Sequence, residues 1–215
     1  MAGAAAQNSR QKRTISLAIL ALAWMLLFLW LGDQVHDART QQFDVQVRSV
    51  VHGWSSPPLT WLMLSITQLG STLVVTTFAL VAVVVFLALR WKLAAILLFA
   101  DLSVAILLNS FLKYLFHRPR PEPFFGIPPP HTYSFPSGHS LFAICFYGML
   151  AALLGERVRS GKARVTIWMS AVLVVMMVGF SRLYLGVHYP TDVVAGWAIG
   201  LAWVNALLIL LSKSS

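Results

Sequence analysis

The sequence predicts an all-α membrane protein with six transmembrane helices, both termini in the cytoplasm and an amphipathic helix on the outer face between the first two. Three observations predict this. Of the 215 residues, 58% are hydrophobic and only 11% are charged, against about 25% charged in a soluble domain. Most of the surface must therefore face something other than water. Six apolar stretches reach the length of about 17–25 residues that a helix needs to cross a bilayer. The basic residues that raise the pI to 10.3 sit in short runs between those stretches, which is a topology pattern and not the water-facing patch of a nucleic-acid binder.

The first span is placed at Thr14–Leu31, after Arg10, Lys12 and Arg13. Its apolar run exceeds the roughly 7–15 residues of a signal-peptide core and no small-x-small cleavage site follows, so it reads as a retained anchor. Phe43, Val47, Val50, Val51 and Trp54 then recur at helical spacing, with Asp44 and Arg48 as an i,i+4 pair on the other face. This segment reads either as an amphipathic helix on the outer membrane surface or as a short packed connector. Pro57-Pro58 breaks the chain, and Leu59–Leu69 is too short to span alone. It is expected to dip into the membrane or cap the bundle before Gly70.

The remaining spans are placed at Thr72–Leu89, Leu93–Leu115, Ser140–Leu154, Val165–Leu185 and Thr191–Leu211. The fourth is short but extends through Pro136 or Glu156. Seven of the ten prolines fall between Pro119 and Pro136. Proline fixes φ and removes a donor, so this loop is stiff and non-helical. The chain shows no internal repeat or linker and reads as one domain over 1–215. The single cysteine, Cys145, lies in an apolar run and supports neither a disulfide framework nor a thiolate metal site.

Alternating sides from a cytoplasmic N-terminus places Arg10, Lys12, Arg13, Arg90, Lys92, Arg157, Arg159, Lys162, Arg164 and Lys213 inside, ten of the 16 basic residues. That excess fits the positive-inside rule. Among the outer basic residues, Lys113, Arg118, Arg120 and Arg182 fall close to span ends. Charge near membrane depth costs about 2.5–3.5 kcal/mol per residue on insertion scales, which makes Lys113, Arg120 and Arg182, the three that fall into motifs, functional candidates.

Three residue sets share the outer ends of the spans: Lys113 with Arg120-Pro121 seven residues on, then Pro136-Ser137-Gly138-His139, then Ser181-Arg182 with His188 and Asp192. Lys113, Arg120 and Arg182 supply three cations with few acidic partners, a set suited to a tetrahedral dianion such as phosphate. Ser137 and Gly138 precede a helix and add a hydroxyl and main-chain N–H groups. Two histidines complete the set. Asp192, four residues after His188, is within reach of an imidazole N–H and would fix its tautomer. His188 is thus the expected nucleophile and His139 the general acid. Carboxylates are too few for a magnesium cluster and neither histidine has a partner at ligand spacing, so no metal and no cofactor is expected.

The pattern K-x6-RP, PSGH and SR-x5-H-x3-D is matched at all its fixed positions and resembles that of the type 2 phosphatidic acid phosphatase superfamily, which includes the vanadium haloperoxidases. The chain looks most like its bacterial membrane phosphatases that act on undecaprenyl pyrophosphate and phosphatidylglycerophosphate. The resemblance implies a phosphohistidine on His188, leaving-group protonation by His139, phosphate binding by Lys113, Arg120, Ser137, Gly138 and Arg182, and orientation of His188 by Asp192. The expected partners are a lipid phosphate substrate and the bilayer of the cell membrane, with no nucleic acid and the site facing outward. Lipid phosphotransfer or lipid A dephosphorylation at the same site is the alternative. A vanadate haloperoxidase, or a lipid-phosphate binder or transporter without turnover, is the more distant reading. Retention of both His139 and His188 argues against the binder.

Loop packing is the expectation for His117, Arg118 and Glu122, and also for His131 and Tyr133, which otherwise line the pocket mouth. Asn109, one turn before Lys113, is placed to orient its ammonium. His36 and His52 lie in the connector without a chemical role. Asp101 sits mid-span, about 18 Å from Lys113 at 1.5 Å per residue, where interhelical hydrogen bonding is expected of it.

Overall fold

The computed structural model describes residues 2–128 and 131–214. Pro129 and Pro130 of the proline-rich loop lie outside the described residues, as does the side chain of Lys213. Helix α1 (Ala2–His36) contains the expected first span and runs past it at both ends. It is followed by α2 (Gln41–His52), α3 (Pro57–Gln68), α4 (Thr72–Ala88) and α5 (Lys92–Phe116). After the loop come α6 (Gly138–Ala143), a π-helical turn at Ile144–Gly148 and α7 (Met149–Gly155), which together form one rod, then α8 (Gly161–Tyr184) and α9 (Pro190–Ser214). No strand occurs among the described residues.

Five of these units are long and apolar enough to cross a membrane: α1, α5, the rod from Gly138 to Gly155, α8 and α9. The sixth expected span is different in form. Helix α4 pairs with α3 across a 48° bend, and together they are apolar and long enough to cross. The elbow is set by Leu69-Gly70-Ser71. A Cβ on Gly70 would lie 2.4 Å from Val178 Cγ1 and 3.2 Å from the His139 carbonyl oxygen, so only glycine lets the bend close against α8 and the rod. Ser71 restarts the helix by accepting the Val74 N–H at 3.4 Å. The expectation that Leu59–Leu69 dips or caps is met by α3, which packs on α8 while α4 packs on α5.

Helix α2 packs inward through Asp44 and Val51, both buried, with Val47 and Arg48 half-buried beside them. Phe43, Val50 and, just beyond the helix, Trp54 are 55%, 58% and 56% exposed, next to exposed Gln42, Gln46 and Ser49. Part of the segment is thus a packed connector and part an exposed face that carries apolar side chains. The expected Asp44–Arg48 pair does not form. Asp44 turns inward to Arg118 and Thr191, and Arg48 donates to the carbonyls of Glu122 at 2.6 Å and Gly186 at 3.2 Å.

Helix α9 brings the site elements into register. It packs along α1 and across α6. At Gly196 a Cβ would stand 2.6 Å from the Ser137 carbonyl oxygen and 2.9 Å from Ser140 Cβ. The main-chain neighbour cannot yield as a flexible side chain would. Cys145 is buried as expected. Asp101 is fully buried in α5, with Cys145 of the rod and Trp203 of α9 as its hydrogen-bonding side-chain neighbours, in line with the interhelical role expected of it, though both oxygens lie outside strict hydrogen-bond geometry.

The close approach at Gly196 gives a stability prediction. Gly196→Ala should lower the thermal midpoint in detergent, by the equivalent of about 1–3 kcal/mol for overpacking a filled contact. The same change at Gly148, whose Cβ would meet nothing within 4 Å, should leave the midpoint near the wild-type value.

Candidate active site

The ends of α5, α6, α8 and α9 meet around a cavity of about 450 Å³. Lys113, Arg120, Gly138, His139, Arg182 and His188 all line it, together with Thr72, Asn109, Tyr114, His131 and Tyr133. The three sequence motifs are thus brought to one place. Ser137 and Asp192 stand behind the wall and do not line it. Ser137 is fully buried; its N–H is held by the Asp192 carbonyl at 2.9 Å and its hydroxyl accepts from Ser140 at 3.1 Å. The N–H groups of Gly138 and His139 lie in the first turn of α6, where the helix itself has no acceptor for them.

His188 is 1% exposed and reaches the cavity with one ring edge. Its Nε2 is 3.0 Å from Arg120 Nη1. A guanidinium only donates, so Nε2 must be the acceptor and Nδ1 carries the proton. Nδ1 points at Asp192 Oδ2, 3.3 Å away, and at Ser134 Oγ, 3.4 Å away. The lone pair of Nε2 is therefore on the cavity side, the arrangement an attacking imidazole needs. Burial drives the His188 pKa well below the ordinary histidine value, and Arg120, Lys113 and Arg182 push the same way against a hydrogen bond with the Ser134 backbone. The ring is neutral at neutral pH.

The cations are held by neutral acceptors. Arg120 donates through Nε to the Thr132 carbonyl at 2.6 Å, through Nη1 to the Val187 carbonyl at 2.8 Å and through Nη2 to Thr132 Oγ1 at 2.9 Å. Arg182 donates to Thr67 Oγ1 at 2.6 Å, and its Nε is buried with no partner. The Lys113 ammonium is shared by the carbonyls of Tyr133, Ser134 and Pro136 at 2.5, 3.4 and 3.0 Å. It clamps the proline-rich loop and does not turn to Asn109 as expected. The Asn109 amide instead packs on Gly138, with its Oδ1 buried and unpaired.

Several residues lie outside the motif reading. Arg118, expected to be loop packing, is 8% exposed and joins Asp192 Oδ1 and Asp44 Oδ2, each at 2.6 Å. Burial disfavours its charge, yet Asp192 and Asp44 more than offset that and hold its pKa above the usual arginine value. Ser134 donates to Asp192 Oδ2 in a short hydrogen bond. Thr67 and Thr72 come from either side of the α3–α4 elbow. In the sequence Arg118 is marked only by its place two residues before the motif arginine Arg120. His117 rests against the rings of Tyr114 and Tyr133, and His52 stacks on Phe124. Among the described residues no group of three or more His, Cys, Asp or Glu side chains is placed to hold a metal ion.

The lowered His188 pKa carries a direction for activity. A group whose pKa falls on folding stays neutral to lower pH, so for any reaction in which His188 attacks as a neutral ring the acid limb of kcat/KM should lie below about pH 6.5, the unperturbed histidine value. Arg120→Gln removes a nearby cation and should move that limb toward higher pH, measured as initial rates across a pH series.

Known proteins resemble this chain in sequence and fold. Residues 91–215 match the model of the PAP2 superfamily. The chain is 32% identical over 183 residues to phosphatidylglycerophosphatase B of Bacillus subtilis (strain 168), covering 82% of this chain and 87% of that one. It is 28% identical over 201 residues to an undecaprenyl-diphosphatase of Sulfolobus acidocaldarius, covering 89% and 91%. Its fold superposes on the crystal structure of a transmembrane PAP2-type phosphatidylglycerolphosphate phosphatase from Bacillus subtilis with a TM-score of 0.85, at 28% identity over 91% of this chain and 97% of that one. With the motif cavity, the helical membrane architecture and these relatives in agreement, the chain belongs to the PAP2 superfamily.

Proposed function

We propose that this protein is a lipid phosphatase of the cell membrane, working as a single domain over 1–215. It hydrolyses a lipid phosphate or pyrophosphate at the outer face without a metal, through a phosphohistidine on His188. The observation that carries this reading is the Nε2 of His188, presented to a cation-lined cavity with its Nδ1–H backed by Asp192. Membership of the PAP2 superfamily supports the hydrolase class, and the activities for which the relatives are named support phosphatidylglycerophosphate and undecaprenyl pyrophosphate as first substrates.

The chemistry balances as follows. The Nε2 lone pair attacks phosphorus in line, and the bond from phosphorus to the lipid-side oxygen breaks. His139 gives its proton to that oxygen. Asp192 stabilises the positive ring left on His188. Water then attacks the phosphohistidine, His139 takes a proton from it, and the N–P bond breaks to release phosphate and neutral His188. Arg120 and Arg182 offset the charge that develops on the equatorial oxygens. Lys113 acts at one remove, by holding the loop carbonyls and adding its charge to the field.

Sidedness and entry follow the same logic. The excess of basic residues at the end opposite the cavity supports cytoplasmic termini and an outward site. The cavity is walled on one side by Thr72 of α4 and by Ser110 and Tyr114 of α5. Tyr114 is 73% exposed, beside the exposed Phe111. A lipid enters between α4 and α5 with its chains still in the bilayer.

Phosphate release from detergent-dispersed phosphatidylglycerophosphate and undecaprenyl pyrophosphate should persist in EDTA and fall at least about 10³-fold in His188→Ala. Label from a 32P-substrate should be trapped on the wild-type protein in acid-labile, base-stable form. Activity abolished by chelation, or undiminished in His188→Ala, would falsify the mechanism.

A further inference from the structure

Two buried carboxylates and one buried arginine stand immediately behind the histidine, and only one of the three belongs to the motifs. Asp44 and Asp192 are both fully buried. Arg118 forks between them: Nη1 donates to Asp192 Oδ1 at 2.6 Å and to Thr191 Oγ1 at 2.8 Å, and Nη2 donates to Asp44 Oδ2 at 2.6 Å. The Tyr189 ring covers the guanidinium, 4.1 Å from Cζ. Asp44 also accepts the Thr191 N–H at 3.1 Å. It thereby caps the first turn of α9 from 147 residues away in sequence.

This network divides the Asp192 carboxylate. Oδ1 is occupied by Arg118. Oδ2 takes Ser134 Oγ, the Tyr189 N–H at 2.9 Å and His188 Nδ1 at 3.3 Å. A carboxylate free to rotate could present either oxygen, or both, to the cations around the cavity. One held at Oδ1 presents Oδ2 alone. Arg118 could not hold Asp192 this way without Asp44, because an arginine with one carboxylate partner would close a bidentate fork on it and draw it off the imidazole.

We propose that Asp44 and Arg118 are positioning residues for the phosphoryl-transfer reaction: by pinning Asp192 Oδ1 they hold Oδ2 on His188 Nδ1 and so secure, from the side opposite Arg120, the Nδ1–H tautomer that keeps Nε2 unprotonated for attack. The assignment rests on the proposed hydrolysis at His188. It gives helix α2, which carries none of the motif residues, a direct part in setting the nucleophile. Arg118 differs in this from Arg120 and Arg182, which line the motif cavity; it does not line that cavity and acts through Asp192.

Asp44→Asn is the test. It keeps the shape of the side chain and removes the charge that shares Arg118. With phosphatidylglycerophosphate as substrate, kcat should fall about 10–100-fold, the range for an outer-layer partner of a functional imidazole. KM, and inhibition by inorganic phosphate, should stay within about twofold, since the cavity lining is untouched. The ¹⁵N spectrum of histidine-labelled protein, with His188 assigned through His188→Gln, should show one Nδ1–H tautomer in the wild type and a mixture in Asp44→Asn. A folded variant with wild-type kcat and a single tautomer overturns the assignment. So does a parallel loss of kcat, KM and phosphate inhibition, which would mark a general collapse of the site. Where Asp44→Asn fails to fold, Asp44→Asn/Arg118→Gln removes both charges of the buried pair, and the same two readouts decide. Should the wild type release no phosphate from any lipid, the proposed function falls, while the imidazole spectra still decide the positioning.

Discussion

Asp192 is the point on which the active end of the molecule depends. Its side chain receives Arg118, Ser134, the Tyr189 N–H and His188, and its carbonyl receives the Ser137 N–H. Five donors from the α5–α6 loop and the turn before α9 therefore converge on one residue. A buried carboxylate is costly unless donors surround it. Here the donors are the same groups that must be aligned for chemistry. Satisfying the charge and building the site are one requirement.

The cavity wall poses the opposite problem, an excess of positive charge in a low dielectric. Arg120, Arg182 and Lys113 lie around a single space, and their partners are mainly carbonyls and hydroxyls. Neutral acceptors satisfy N–H geometry without cancelling charge, so the field stays available to an anion. The carboxylates that would cancel it are held one layer back, on Arg118. Burial keeps His188 neutral, and the uncancelled cations add to the cost of a proton on its ring.

Much of this was legible in the sequence, for a physical reason. Lys113, Arg120, His139, Arg182 and His188 sit at span ends where charge is expensive, in motifs whose spacing singles them out, and the spans after the first follow from hydropathy to within a few residues, while α1 runs well past its expected start. What was not legible depends on partners distant along the chain. Arg118 looks the same in sequence as a snorkelling loop arginine. Its role appears only when Asp44 and Asp192 are brought to it from 74 residues away on either side. Asp44 has Arg48 at pairing distance on its own helix, and a local rule cannot know that Thr191 and Arg118 compete for it. Asn109 and Lys113 are one turn apart, but three loop carbonyls take the ammonium first. The α3–α4 elbow was read as a stop and a start because glycine marks a break without giving its angle.

The loop between α5 and α6 supplies five of the acceptors described above, from Thr132, Tyr133, Ser134 and Pro136. Its proline content restricts the unfolded chain as well as the folded one, so less conformational entropy is lost when those carbonyls are locked around the cations. The electrostatic template is complete before any anion arrives. Binding and turnover then draw little reorganisation from the protein, and the ordering of the site is settled once, during folding, instead of once per catalytic cycle.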